Sequence, residues 1–327
     1  MIDLASVLLS NSHGMTVEVI NFGARITSIK FPVNGVATEM TLGYSSIQDY
    51  IGDEYYLGAT CGRVCNRIAG AQFQLGKHLY QLTKNDGDNC LHGGVDNFAM
   101  RYWQIDEATL TQNSVTLHLH SAHDDQGFPG NLTVSVTYQL TAANALIIEY
   151  YATTDRPTPI NLTNHCYFNL GESSGKSLYL QLMSSACLEA DIDNIPTGNL
   201  LSLEEQGINF REPQSFGTRE KLAQNTLLKH QPSFDHCFIL DNTPFEQAKA
   251  VLTSVKQQVS LSVFTDQSAI QLYSGYYLAK QFSSGQGVCL EAQNYTDAEN
   301  HQHFPSNVLR PNEQYQRKII YQFASIN

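Results

Sequence analysis

The sequence predicts an all-β protein, a large antiparallel β-sandwich formed as a single domain over residues 1–327. Three observations carry that expectation. Short runs that alternate apolar and polar residues recur along the whole chain, broken by Gly, Asn, Asp and Pro, whereas helical patterns are confined to residues 45–50 and 219–228. Charged residues make up only 15% of the chain, against about a quarter in an ordinary globular protein, and Ser, Thr, Asn and Gln supply the polar surface instead. No Pro-rich, Gly/Ser-rich or charge-run linker divides the chain, and no repeat of fixed period appears.

The strands follow in order. Thr16–Ile20 and residues 26–31 come first, and Gln72–Leu75 with residues 79–82 forms a hairpin across Gly76-Lys77-His78. Residues 114–120, 132–140, 145–152 and 178–183 come next. The last group is 248–255, 259–264, 269–273, 288–293 and 316–323.

Between these lies the most informative stretch, residues 160–170, which reads as a strand with two faces. Ile160, Leu162, Cys166, Phe168 and Leu170 fall on one parity with Asn164 out of place, and Asn161, Thr163, His165, Tyr167 and Asn169 fall on the other. An ordinary solvent face would carry Lys, Glu and Asp. This one offers amides, hydroxyls and an imidazole, the groups that hold a polyhydroxylated ligand; read alone, His165 could equally satisfy a partly buried polar patch.

Composition excludes several classes of function. With a net charge of -12 and no basic run, the chain has no footprint for nucleic acid or an anionic membrane. Residues 1–10 lack a signal peptide's charged and apolar regions, and no later run is long enough to span a bilayer, so a soluble, cytoplasmic protein is expected. Seven cysteines at 61, 65, 90, 166, 187, 237 and 289 without paired spacing point to reduced core residues, not to disulfides or a zinc cluster.

Other polar clusters stand out. Arg67, after Asn66, presents a rigid fork of donors for hydroxyl or carboxylate oxygens, or else a surface ion pair. A turn-rich loop ends in Leu91-His92-Gly93-Gly94, where paired glycines let the backbone approach something closely. His118 and His120 share a strand face and His123 follows, yet leucines alternate with the first two and no Cys or carboxylate ligand stands at a comparable interval, so no metal is expected. Asp235 and Gln271 each mark an apolar strand, and Glu291 shares a face with Gln293.

Together these stretches resemble the aldose 1-epimerase (galactose mutarotase) family. The resemblance is carried in order by Asn21-Phe22-Gly23-Ala24, Gly62-Arg63 with Asn66-Arg67-Ile68, Leu91-His92-Gly93-Gly94, Gly127-Phe128-Pro129-Gly130, residues 161–170, Phe234-Asp235-His236, Tyr273-Ser274-Gly275, and Leu290-Glu291-Ala292-Gln293 with Asp297-Ala298. It implies a large twisted antiparallel sandwich with an open sugar cleft, and neither metal nor cofactor. It further implies His165 as general acid, Glu291 as general base, and Asn66, Arg67, His92, Tyr167, Asp235 and Gln271 as holders of substrate hydroxyls. Cys166, Cys237 and Thr296 depart from the usual pattern without removing any of these groups.

The implied reaction interconverts α and β anomers of free hexoses such as D-galactose and D-glucose, with the imidazolium and carboxylate expected to favour each other's charge. A monosaccharide is the implied partner, and the protein is expected to be a monomer or weak homodimer. The alternatives are a hexose-phosphate epimerase, a non-catalytic carbohydrate-binding protein, and a glycosidase using Asp235 and Glu291.

Overall fold

Strict alternation in the long strands becomes one-sided burial. In Leu132–Leu140 the side chains of Leu132, Val134, Val136, Tyr138 and Leu140 are buried, while Thr133 and Gln139 face solvent. The computed structural model, which describes residues 3–223, 227–228 and 231–326, places this strand in a nine-stranded antiparallel sheet. The spatial order is Gln104–Ile105, Ser114–Ser121, Leu132–Leu140, Ala145–Thr154, Tyr315–Ser325, Val259–Thr265, Ala250–Ser254, Tyr179–Leu182 and Gln214–Ser215. A four-stranded meander, Ser6–Ser10 through Val36–Glu39, adds to the edifice at the N-terminal end.

The second large sheet has six strands: β1 (Tyr167–Phe168), β2 (Ser184–Ala190), β3 (Pro196–Ser202), β4 (Asp235–Leu240), β5 (Ala269–Tyr273) and β6 (Val288–Gln293), in the spatial order β1-β6-β5-β4-β2-β3. Its inner face supplies Phe238, Ile270, Leu272, Val288, Leu290 and Ala292 to the core that the nine-stranded sheet fills from the other side with Tyr138, Ile148, Leu261 and Ile319. That shared core makes the sandwich. The outer face is different. Every residue of β5 and β6 is buried, so Gln271, Glu291 and Gln293, which alternate with the core residues, are removed from water as well.

The cover over this outer face comes from residues 53–69 and the loop 85–94. Cys65 Sγ meets Gln293 Oε1 at 3.5 Å, Arg67 Nη1 lies 3.6 Å from Asp235, and Tyr167 donates to the carbonyl of Tyr55 at 2.9 Å. One ion pair fastens the start of that cover. Arg25 and Asp53, both fully buried, meet at 2.5 Å, and Arg25 also donates to the carbonyls of Leu57 and Ala99. Asp53 in turn accepts from Tyr44 and from the backbone N–H of Tyr55 and Leu57.

The structure corrects the reading of residues 160–170 as one two-faced strand. All of residues 160–168 are buried, and the segment takes three partners in succession: Asn161 bridges Val64, Thr163–Asn164 pairs with Thr60–Cys61, and β1 pairs with β6. Asn164, the residue out of parity, marks the break. Its side chain accepts from the N–H of Cys166 and donates to the carbonyl of Gly58, taking up bonds that a continuous ladder would use. Elsewhere the predicted hairpin turn is Gly76-Lys77, with His78 already in the strand His78–Gln81, and residues 45–50 become a 3-10 helix, Ile47–Gly52, capped by Ser46. The predicted helix at 219–228 is an α-helix at Phe216–Ala223, and the rest of that stretch falls partly outside the described residues. All seven cysteines are free and buried. Among the described residues no helix is long and apolar enough to cross a membrane.

Because Arg25 has no access to water, losing its partner strands a buried charge. Asp53→Ala is expected to lower the unfolding free energy by about 3–5 kcal/mol, measured by urea denaturation. A loss below about 1 kcal/mol, the range of surface pairs, would contradict the assignment.

Candidate active site

The cover and the sheet meet at His165. Its N–H donates to the carbonyl of Ala59 at 2.9 Å and its carbonyl accepts from Gly58 at 3.0 Å, so the backbone is held from both sides. Gly58 is required there: φ is +64°, and a Cβ would run into the carbonyl oxygen of Ile26. With the backbone fixed, the imidazole lies over the outer face of β6, its Nε2 3.5 Å from Glu291 Oε1 and its Nδ1 3.6 Å from Cys289 Sγ. The rings of Tyr167 and Tyr56 flank it at 5.0 and 6.0 Å between centroids.

His92 completes the cluster from the other side. Its backbone N–H donates to the carbonyl of Asn66 at 3.0 Å, and the N–H of Asn66 donates to His92 Nδ1 at 3.2 Å. In the neutral ring the proton therefore sits on Nε2, which makes the remaining nitrogen a donor. The paired glycines do what their sequence suggests, since Gly93, at φ +96°, packs against the backbone of Gly62 and Arg63 where a Cβ would clash. Nitrogens of His92 and His165 and an oxygen of Glu291 lie within 4.8 Å of one another, a spacing that could hold a metal ion. The donor set does not fit one: a metal ligand needs a lone pair, and the Asn66 N–H already takes that of His92.

A second group of polar side chains continues along the sheet. Asp235 accepts from Gln271 Nε2 at 2.6 Å through one oxygen, and its other oxygen faces Arg67 Nη1 at 3.6 Å and Asn194 Nδ2 at 3.3 Å. Arg67 also donates through Nε to Asp86 at 2.8 Å, and Asn66 Oδ1 accepts from the N–H of Arg67. Three buried acceptors in this group have no protein partner: Glu291 Oε2, Gln271 Oε1 and Asn194 Oδ1. The eight residues singled out by resemblance are thus brought together. Tyr167 differs in how it can act, because its hydroxyl hydrogen is committed to Tyr55 and only acceptor capacity is left.

Other sequence candidates fall outside. Arg63 is buried and donates to the carbonyls of Pro129, Gly130, Ser121 and Ala122 and to the Thr158 hydroxyl, which explains why Gly127-Phe128-Pro129-Gly130 accompanies it as scaffold. His118 faces Asp106 at 3.5 Å, whereas His123 is engaged by the N–H of Gly130 and by Arg156. A groove of about 780 Å³ lined by Glu18, Glu39 and Tyr44 holds no imidazole, so chemistry and not cavity size locates the site. Sequence reasoning missed Tyr56, Asn194 and Cys289. Cys289 was within reach, since it shares the parity of Glu291; Tyr56 and Asn194 sit in loops at φ +58° and +60°, with no periodic signal.

Burial governs the electrostatics. It pushes the His165 imidazole down to about 4, against partial compensation from Asp53 and Asp235, and drives Glu291 well above the usual carboxyl range, with Asp235 adding to the effect and Arg67 opposing it. His92 is lowered by burial, then by His165 and Arg67. The expectation that imidazolium and carboxylate would each favour the other's charge is therefore corrected: burial disfavours each charge, lowering the imidazole and raising the carboxyl group.

A family model described as aldose 1-epimerase matches residues 5–322. The chain belongs to the aldose 1-epimerase family. Among curated relatives, it is 38% identical to the aldose 1-epimerase of Haemophilus influenzae over 90% of this chain and 88% of the relative, and 36% identical to that of Escherichia coli over 97% and 94%. The galactose mutarotase of Mus musculus is 33% identical over 96% and 92%. Among solved structures, a GalM/aldose epimerase homologue from C. elegans superposes with a TM-score of 0.90 at 28% identity, covering 99% of this chain and all of the other. Galactose 1-epimerase from Lactobacillus acidophilus gives 0.87 at 27%, with both chains fully covered. The chain is thus an isomerase of this family, with its sandwich fold and a small-molecule sugar as substrate.

One neighbour of the site offers a clean titration. His236, on the inner face of β4, is pushed by burial down to about 4 from an ordinary 6.5. Between those values the unfolded chain binds the extra proton, so this group's contribution to stability is present above 6.5 and lost as pH falls toward 4. Glu299, raised by burial to about 7, acts in the opposite sense, so a difference is the proper measure. Relative to wild type, His236→Gln is expected to gain on the order of 2 kcal/mol between pH 7.5 and pH 4.5, read from urea midpoints. A constant gap would refute it.

Proposed function

We propose that this protein interconverts the α and β anomers of free aldohexoses, D-galactose and D-glucose among them, by acid–base opening and reclosure of the ring. The observation that carries the reading is the 3.5 Å approach of His165 Nε2 to Glu291 Oε1 in a buried setting where Glu291 Oε2 has no protein partner. Anomerisation needs one proton removed from the C1 hydroxyl and one delivered to the ring oxygen, two atoms bonded to the same carbon. Only an acid and a base set side by side can serve both.

In this reading Glu291 takes the hydroxyl proton, electrons from that O–H form the carbonyl, the bond from C1 to the ring oxygen breaks, and His165 protonates the departing oxygen. Rotation about C1–C2 exposes the other carbonyl face. The same steps in reverse close the ring and restore the pair. Carboxylate with imidazolium and carboxylic acid with imidazole contain the same number of protons, so the effect of burial on each group is compatible with the cycle. Sugar hydroxyls donating to Glu291 Oε2 would supply the solvation that favours its carboxylate form.

Arg67, Asn66, His92, Tyr167, Asp235 and Gln271 then hold the remaining hydroxyls, and the whole chain acts as one catalytic domain, because its working groups run from residue 66 to residue 291. A phosphorylated hexose gains no support, as Arg67 is already engaged by Asp86 and Asp235. Hydrolysis by Asp235 and Glu291 gains none either, with both oxygens of Asp235 bonded or paired. A purely binding role leaves the adjoining acid and base without a task.

Polarimetry on freshly dissolved α-D-glucose and α-D-galactose tests the reading. Glu291→Gln and His165→Asn should each slow anomerisation by about 10²–10⁴-fold with circular dichroism unchanged. Near-wild-type rates in either folded variant would overturn the roles.

A further inference from the structure

Asn194 reaches the site from the turn between β2 and β3, a position that none of the sequence motifs includes. The turn is well held. Asp191 bonds back to Ile195, its carboxylate accepts from the N–H of Asp193 and Ile195, and its carbonyl accepts from Gln231. Asn194 adopts φ +60°, a conformation that asparagine tolerates better than most residues. Its amide nitrogen points to Asp235 Oδ2 at 3.3 Å, and its carbonyl oxygen is shielded from water with no protein partner.

The three unpartnered acceptors form a row. Glu291 on β6 stands opposite Gln271 on β5, one strand spacing of about 4.8 Å away. Gln271 bonds Asp235, and Asp235 faces Asn194. Glu291 lies at one end of the row, beside His165, and Asn194 lies at the other. A pyranose whose C1 and ring oxygen face the acid–base pair has its C3–C4 bond on the opposite side of the ring and would carry its C3 and C4 hydroxyls toward the Asn194 end. A buried acceptor is retained without penalty only if a donor meets it, and a sugar hydroxyl is the donor that this pocket admits.

We infer that Asn194 is a specificity-determining residue whose carbonyl oxygen accepts a hydrogen bond from a substrate hydroxyl remote from C1, at C3 or C4, so that this site selects aldohexoses with that hydroxyl free. The inference rests on the anomerase reading above. A role limited to holding Asp235 through the amide nitrogen is the competing account, and the two make different predictions with deoxy sugars.

The test compares wild type with Asn194→Gly, which keeps the left-handed turn, on D-galactose, D-glucose and their 3-deoxy and 4-deoxy analogues. The parent hexoses should show KM raised about 3- to 10-fold with kcat within about twofold, and the variant should match wild type on the one analogue that lacks the partner hydroxyl. Binding of the same sugars measured by calorimetry should follow KM. An unchanged KM, or an equal rise on every sugar as expected from a displaced Asp235, would overturn the inference. Failure of the wild type to accelerate anomerisation of any free aldose would instead remove the anomerase reading, and this inference with it.

Discussion

Burial of the outer face of β4, β5 and β6 is the constraint from which the rest of the site follows. A sheet in a sandwich normally gives one face to the core and the other to water, as Leu132–Leu140 does. Here the second face is covered by residues 53–69 and 85–94, and Asp235, Gln271, Glu291 and Gln293 stand on it among Cys237, Ala269, Tyr273 and Cys289. Polar groups in that position must find partners inside the protein. Most do: Gln293 bonds Thr296 and Cys65, and Asp235 bonds Gln271. The atoms left over, Glu291 Oε2 and Gln271 Oε1 among them, mark where something other than the protein is meant to bond.

The same desolvation sets the chemistry. An imidazole and a carboxyl group in water would titrate independently and spend most of their attraction on the solvent. In this pocket neither charge is welcome alone, and the 3.5 Å approach makes one proton's position the variable that distinguishes the states. A reaction that moves one proton on and one off neighbouring oxygens uses that variable directly. Ring opening of a hemiacetal also proceeds slowly in water, so the proposed reaction asks the protein only for alignment and two-sided proton transfer.

Much of this was legible in the chain, for a physical reason. Strands at Thr16–Ile20, Leu132–Leu140, Ala269–Tyr273 and Val288–Gln293 coincide with their sequence patterns because side-chain period two survives wherever a ladder is continuous. It fails at residues 160–170, where Asn164 diverts backbone bonds to its own side chain, and at β3, an edge strand that opens with Pro196 and contains Gly198, both poor strand formers. Arg63 and Arg67 look alike in the sequence, yet one faces a cage of carbonyls and the other two carboxylates. No local pattern separates them, because the groups that decide come from residues 86, 121–130 and 235. Asn194 and Tyr56 were invisible for the same reason: a loop residue has no period, and its importance lies in what the fold sets beside it.

Asp235 ties the two ends of the site together. Through its oxygens it gathers Gln271, Arg67 and Asn194, and its charge raises the Glu291 carboxyl while also favouring protonation of His165. Arg67, which Asp235 and Asp86 hold in place, opposes the first of those effects. The balance between a carboxylate and a guanidinium at this end of the pocket thus bears on the titration of Glu291. That influence acts through space: Gln271 bonds Asp235, whereas His165 and Glu291 approach each other at 3.5 Å, so the two groups of polar side chains meet across the pairing of β5 with β6 through charge.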